Sequence, residues 1–350
     1  MTQTTKYATV LPKMGSERSK LLSENKVKAL SESKNIVDVA SQLRDTSYQD
    51  QISHISPPFT GRKLEHAYYE NLIETYLKII KYAPETANRY LNIYLSRLEA
   101  ENVKTLIRTA DANLSAEQRL AKIYLSVEKY FDHIGLIEDA AKISSISQIA
   151  AAFKCTEYGS AIATGLKSFE ESGSNSCIDV FVDKLFYEKL VTAFESLPAR
   201  EKSHAYFYAS IELDSYILLT LLRGKNFNYD PNWLRVAIPR CYFNLEKKEV
   251  ESIVSALNYE AAYKIVQDSY YAEYFNRKAT PEETIATAEK AFKKAILQKA
   301  QKAVIRETFN VGSTLSFITI KEAEVHNLTA LTLGIDGGLK PEVIRNQLLL

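Results

Sequence analysis

Glycine and proline are scarce in this chain of 350 residues, which contains 11 glycines and 9 prolines. Both residue types are needed in turns and long loops, and together they usually make up about 12% of a globular protein. No convincing alternation of apolar and polar residues predicts a half-buried strand. The sequence therefore predicts an all-α protein with short connections between its helices.

Cysteine is rare, and neither sign of charge dominates. Cys155, Cys177 and Cys241 are far apart and form no CxxC pair, which excludes a disulfide framework or a zinc knuckle and favours a reducing compartment. The 44 basic residues are balanced by 43 acidic ones, so the net charge is +1. Such a chain has no overall field to attract nucleic acid or an anionic membrane. We expect no nucleic-acid partner, and any other partner must be recognised by a local surface of the protein.

Long apolar runs are also missing. The longest, residues 149–153 and 216–222, fall far short of the ~20 residues that a membrane-spanning helix needs. The polar start, Met1 to Thr5, lacks the apolar core of a signal peptide. The sequence predicts a soluble or peripheral protein that does not span a membrane.

No motif of a catalytic or ligand-binding site is found. The five histidines form neither HExxH nor HxH, and phosphate-loop, GxGxxG, GxSxG and DDxxD patterns are missing. We therefore predict no catalytic residues, no cofactor and no metal site.

Local signals set out individual helices and loops. Thr280-Pro281-Glu282-Glu283 is a capping box with proline at the first helical position, and it predicts a long helix ending near Arg306. Clusters of Ser, Gly, Asn and Pro predict surface loops at Glu170 to Ser176 and at His54 to Gly61.

An internal repeat is the most informative feature. Val39 to Ile52 aligns without gaps with Ile149 to Ile162, 110 residues later, and Ala, Thr, Tyr and Ile are identical at four aligned positions. A fainter third copy is predicted from Val250 to Tyr259. With a period this long, each repeat can form its own small core.

A second repeated element follows each copy. It starts with an acid, has Asn or Ile three residues later, and ends nine residues after the acid. The three versions are Glu99, Asn102 and Arg108; Asp214, Ile217 and Arg223; and Glu324, Asn327 and Leu333. We interpret the chain as three related helical units, 1–114, 115–229 and 230–350.

Helical geometry separates the acid of this element from its arginine. At about 100° per residue, Asn102 lies about 300° after Glu99 around the helix, so the two side chains are only about 60° apart and share a face. Arg108 lies about 900° after Glu99, which places it on the opposite face. Each side chain must therefore find its partner elsewhere. Two interpretations remain open: helix capping with inter-helix hydrogen bonds, or a polar lining around an axis formed by three similar units.

The chain resembles the C subunit of archaeal-type rotary ATPases, which is related to the d subunit of vacuolar-type ATPases. The matching segments are Lys321 to Leu328, Glu99 to Arg108, Asp214 with Leu221 to Lys225, Leu21-Leu22, and Thr46 to Tyr48. Individually these motifs are short, but they occur in order along essentially the whole chain.

The resemblance implies an all-helical funnel or socket made of three units. It would sit at the cytoplasmic face of the membrane on the rotor ring, receive the foot of the central stalk, and couple their rotation without catalysis. As a hypothesis, the residues at or near the stalk socket are Asn102, Arg108, Asp214, Arg223 and Asn327.

Two other classes of protein remain as alternatives. A helical scaffold or adaptor unrelated to ATPases would carry the same repeats and bind other partners. An all-helical lyase or hydrolase would need a clustered acid or metal site, which the sequence does not reveal.

Overall fold

The computed structural model describes residues 7–110, 112, 114–172, 176–306 and 308–350, and these contain helices and no strand. The α-helices are α1 Val10–Arg18, α2 Glu24–Leu30, α3 Ile36–Leu43, α4 Gln49–Ser53, α5 Gly61–Tyr82, α6 Glu85–Arg108, α7 Ala116–Leu120, α8 Leu125–Phe131, α9 Ile134–Ala141, α10 Ile146–Ala152, α11 Gly159–Ser172, α12 Ser176–Ser196, α13 Ala199–Asn226, α14 Pro231–Ala237, α15 Lys247–Ser255, α16 Tyr259–Gln267, α17 Pro281–Arg306, α18 Val311–Asp336 and α19 Pro341–Gln347. The prediction of an all-α protein is confirmed.

Side-chain caps begin several of these helices where the sequence places small polar residues. Thr280 accepts a hydrogen bond from the backbone N–H of Glu283 at 3.2 Å, and α17 runs to Arg306 as predicted. Asn35, Asn258 and Asn310 cap α3, α16 and α18 in the same way. Each cap satisfies a backbone donor that the helix itself leaves unpaired.

The chain divides into two compact units by its internal contacts. The first comprises residues 1–99, 121–134 and 297–350, and the second comprises residues 100–120 and 135–296. These limits differ from those of the three predicted units, 1–114, 115–229 and 230–350. A division by contacts does not test a relationship by sequence, so the three-unit interpretation stays a prediction.

In the first compact unit, α18 packs along α5, and α1, α2 and α3 also contact α18. Most side chains of α18 are buried, including Phe317, Val325 and Leu331. A helix that is apolar on nearly all sides is stable only when other helices surround it. This explains why a segment rich in Leu, Ile and Thr forms a core helix without a polar face.

In the second compact unit, α11 packs against α12, α12 against α13, and α13 against α16. Its core includes Leu218 and Leu222 of α13, Val254 of α15, Val266 of α16 and Phe292 of α17. Ile285, Ala288 and Phe292 of α17, spaced three or four residues apart on one face, lie in this core.

The order of short and long helices recurs along the chain. Short helices precede the long pair α5 and α6, other short helices precede α12 and α13, and α15 and α16 precede α17 and α18. A short helix follows each long pair: α7, α14 and α19.

The predicted loops have different outcomes. His54 to Thr60 connects α4 to α5 as expected. The loop predicted at Glu170 to Ser176 is wrong at its ends, since α11 continues to Ser172 and α12 begins at Ser176. Residues 173–175 lie outside the described part of the chain.

Across the described residues, no helix combines the length and the apolar character that crossing a membrane requires.

Candidate functional site

Asp214 of α13 is fully buried in the second compact unit. Its carboxylate accepts hydrogen bonds from the backbone N–H groups of Phe243 and Asn244, at 3.1 and 2.7 Å, and from the hydroxyl of Tyr271 at 2.9 Å. Burial raises the pKa of the Asp214 carboxyl, and these donors offset part of that effect. We call these four residues the Asp214 cluster; it ties the segment before α15 to α13.

Glu324 of α18 is buried in the first compact unit. Its Oε1 accepts hydrogen bonds from the Tyr48 hydroxyl at 2.7 Å and from the Lys321 ammonium at 2.8 Å. Its Oε2 accepts one from the backbone N–H of Leu22. Burial lowers the pKa of Lys321, although Glu324 opposes this effect. We call these residues the Glu324 cluster; unlike the Asp214 cluster, it contains a buried cation.

Glu99 of α6, the first of the three repeated acids, is 2% exposed. Its Oε1 lies 2.5 Å from Nδ1 of His133. His133 comes directly before α9, just as Leu22 lies shortly before α2 and Asn244 shortly before α15. All three repeated acids therefore contact a segment that leads into a short helix.

The buried tyrosines follow a repeated turn. A threonine or serine lies two residues before each tyrosine, and its hydroxyl accepts a hydrogen bond from the backbone N–H of the tyrosine, as in ST-turns. The same hydroxyl donates a hydrogen bond to the carbonyl of the residue three positions before the threonine or serine. The three pairs are Thr46 with Tyr48, Thr156 with Tyr158, and Ser269 with Tyr271.

This turn aligns Tyr271 with Tyr48 and places the third copy of the first repeated element at Ala262 to Phe275. The copy predicted from Val250 to Tyr259 has Leu257 two residues before its tyrosine and so lacks the hydroxyl of this turn, and the structure favours the later alignment. Val250 and Val254 have the same four-residue spacing as the apolar residues of the repeat, but they belong to α15, the helix before α16.

Two of the predicted site residues are buried asparagines. Asn327 of α18 donates from Nδ2 to the carbonyl of Leu349 at 3.0 Å and accepts from the Leu349 N–H at 2.6 Å, which holds the C-terminal segment. Asn102 is buried on α6 in the second compact unit. With Asp214, three of the five predicted site residues lie inside the helix packing.

Arg108, at the end of α6, is half exposed and belongs to a charged network. Its guanidinium donates to Asp179 at 2.9 Å and to Glu101 at 2.8 Å. Lys104, one turn earlier, pairs with Glu101 and with Asp183, each at 2.8 Å. The arginine therefore pairs with residues other than Glu99, as its position on the opposite face predicts.

Arg223, near the end of α13, is also half exposed and pairs with Glu289 of α17 at 2.6 Å. Lys293 contacts the same carboxylate at 3.0 Å. Burial tends to raise the pKa of Glu289, but the two cations outweigh it and lower the pKa. Arg108 and Arg223 are the two predicted site residues whose charged ends reach solvent.

Sequence reasoning missed a group that could hold a metal ion. Oxygen atoms of Glu99 and Glu128 and a ring nitrogen of His133 all lie within 4.8 Å of one another. The spacing of these residues in the chain matches no metal-binding motif, so only the fold brings them together.

Comparison with known proteins links these features to a family. Residues 12–347 match the family described as "ATP synthase (C/AC39) subunit". The A-type ATP synthase C subunit of Methanocaldococcus jannaschii is 26% identical, over 98% of this chain and 86% of that protein. The proteins of the same name from Methanosarcina mazei and Methanothermobacter thermautotrophicus are 25% and 24% identical, over 98% and 89% of this chain and 93% and 79% of their own lengths.

The resemblance seen in the sequence is thus confirmed, as is the prediction that the chain is a structural part of a larger complex and not an independent enzyme. The match spans both compact units and all three repeated acids, and the chain belongs to the ATP synthase (C/AC39) subunit family.

Proposed function

We propose that this chain is the non-catalytic coupling subunit of an A-type or V-type rotary ATPase. It connects the central rotor shaft to the membrane rotor ring, and it is peripheral at the cytoplasmic face of the membrane. In this role it passes torque between the shaft and the ring, during rotation driven either by ATP or by a proton or sodium gradient.

The observation that carries the proposal is the contact pattern of the three repeated acids. Glu99, of the first predicted unit, contacts His133 of the second; Asp214, of the second, contacts Asn244 of the third. Glu324, of the third, contacts Leu22 of the first. Each predicted unit is therefore joined to the next in a cyclic order, which supports three units closed around an axis as a funnel or socket.

Buried polar contacts of this kind suit a coupler. A protein that transmits torque needs stiff joints between its parts, and a satisfied buried hydrogen-bond network fixes one geometry more strictly than apolar packing does. We assign this role to Asp214, Asn327 and Asn102, which would shape the wall of the socket.

We assign contact with the stalk to Arg108 and Arg223. Their guanidinium groups reach solvent and end long helices at corresponding positions of the first and second units. Their partners Glu101 and Glu289 are 38% and 37% exposed, and exposed ion pairs contribute only about 0–1 kcal/mol, so carboxylates of a partner can replace these two. Asp179, the other partner of Arg108, is 18% exposed.

The experiment is affinity purification from the native host. The tagged chain is recovered from membranes in mild detergent, and co-purifying proteins are quantified by mass spectrometry. We expect rotor-ring and central-stalk subunits in a fixed ratio. Recovery of unrelated soluble proteins without them would contradict the proposal and favour a scaffold or adaptor.

A charge reversal tests the two arginines. The double variant Arg108→Glu with Arg223→Glu is expected to stay folded and to lose most stalk subunits. Arg235→Glu is the matched control, because Arg235 is also half exposed and pairs with one acid, Glu251. Unchanged stalk recovery with the folded double variant would overturn the assignment of the arginines.

A further inference from the structure

The group of Glu99, Glu128 and His133 in the first compact unit combines buried charge with access from solvent. Glu99 and Glu128 are 2% and 0% exposed, whereas the side chain of His133 is 40% exposed. The potential ligand atoms lie within 4.8 Å of one another. We call these three residues the Glu99 cluster.

The end of α8 brings two of these residues together. The helix stops at Phe131, and Asp132 adopts a left-handed conformation with φ of 62°. The N–H of His133 then donates to the carbonyl of Glu128 at 2.8 Å, a bond typical of helix ends that close through a left-handed residue. The imidazole and the Glu128 carboxylate thus meet Glu99 of α6.

The composition of the Glu99 cluster sets it apart from the clusters around the other two repeated acids. Asp214 and Glu324 each receive a tyrosine hydroxyl and backbone N–H groups. At Glu99, a second buried carboxylate and an imidazole lie beside the acid. Carboxylate oxygens and an imidazole nitrogen this close together are donor types that a divalent transition-metal ion accepts.

We propose that the Glu99 cluster binds one divalent transition-metal ion, with Zn²⁺ as the best match. One imidazole nitrogen and two carboxylate oxygens form a ligand set that zinc accepts at about 2.0–2.2 Å, with water as a fourth ligand. The two carboxylates balance the charge of the ion. The solvent-exposed side of His133 provides its route into the site.

The bound ion strengthens the contact between α6 and the segment before α9. It adds coordination bonds from three side chains to the existing contact between Glu99 and His133.

The test uses the full-length purified chain after removal of metals with a chelator. Zn²⁺ binding is measured by isothermal titration calorimetry, and the midpoint of thermal unfolding is measured with and without Zn²⁺. We expect one Zn²⁺ per chain and a higher midpoint in its presence, because a ligand that binds the folded state stabilises it. Co²⁺ in place of Zn²⁺ should give the visible absorption of a low-coordinate site.

Variants separate this site from accidental binding. His133→Gln and Glu128→Gln should each weaken Zn²⁺ binding by at least about tenfold, since even residues that only orient metal ligands contribute roughly 10–100-fold. His54→Ala is the matched control, because His54 is exposed and lies outside the cluster.

Two results would overturn the proposal. One is a folded wild-type chain that shows no saturable Zn²⁺ binding. The other is equal affinity in the wild type, His133→Gln and His54→Ala, which would place the ion elsewhere. Because His133 is partly exposed, His133→Gln should stay folded and remains decisive even if Glu128→Gln does not fold.

Discussion

The Glu324 and Asp214 clusters solve the same problem in two different ways. Each buries a repeated acid on a long helix and gives it a tyrosine hydroxyl and backbone N–H groups. The Glu324 cluster also contains the buried cation of Lys321, whereas Asp214 depends on neutral donors. Comparing the two clusters shows how a buried carboxylate can be stabilised either by a nearby positive charge together with hydrogen bonds or by hydrogen bonds from neutral donors alone.

The largest effect is expected from breaking the Glu324 cluster on one side only. Glu324→Ala leaves the Lys321 ammonium buried without its carboxylate, which typically costs about 3–5 kcal/mol of the free energy of unfolding. The double variant Lys321→Met with Glu324→Leu removes both charges and should lose less than Glu324→Ala. Urea denaturation followed by circular dichroism measures all three proteins.

This comparison can fail in a clear way. If the double variant is less stable than Glu324→Ala, the ammonium and the carboxylate do not depend on each other. The pair would then contribute through packing, and the contrast with the Asp214 cluster would lose its basis.

A smaller effect is expected at Asp214. Asp214→Asn keeps the size of the side chain but replaces one acceptor oxygen by a donor group facing buried N–H groups. The loss in the free energy of unfolding should be about 2 kcal/mol at neutral pH. Asp139→Asn, at an exposed carboxylate, is the control for losing one negative charge and should change stability little.

The pH dependence identifies the cause at Asp214. Burial raises the pKa of its carboxyl above the unfolded value of about 3.9, so the folded state binds more protons between these two pKa values. The stabilisation by the protonated carboxyl is complete below the unfolded pKa and is lost as the pH rises through the folded pKa. The advantage of the wild type over Asp214→Asn should therefore shrink from about pH 4 towards pH 7. A constant difference would mean that Asp214 carries the same protonation in both states.

The sequence predicted the features that depend on local pattern. The start of α17 follows from the Thr280 capping box, and the three acids follow from their shared spacing before Asn or Ile. Helix caps and periodic apolar positions act over a few residues, so one segment is enough to reveal them.

The partners of the acids could not be predicted from the sequence. Glu324 meets Tyr48, which lies 276 positions earlier in the chain, and Asn327 meets the backbone of Leu349, whose own side chain carries no polar signal. In the third copy, Ser269 replaces the threonine of the first two, and Val250 offers a competing apolar match. The hydrogen bonds of the turn, which the fold provides, decide between these two alignments.

The smallest expected effect comes from the tyrosine hydroxyls, and it sharpens the comparison most directly. Tyr48→Phe and Tyr271→Phe each remove one donor from a buried carboxylate and should each cost about 1 kcal/mol. Each hydroxyl also accepts a hydrogen bond, Tyr48 from the Lys321 ammonium at 2.8 Å and Tyr271 from the Asn244 amide at 2.9 Å. Tyr48→Phe should cost more, because a hydrogen bond from a charged donor is stronger than one from a neutral donor. Urea denaturation measures both, with Tyr130→Phe at an exposed position as the control. Equal losses would mean that Lys321 draws its stabilisation from Glu324 alone, since the charged acceptor would then satisfy the ammonium without the hydroxyl.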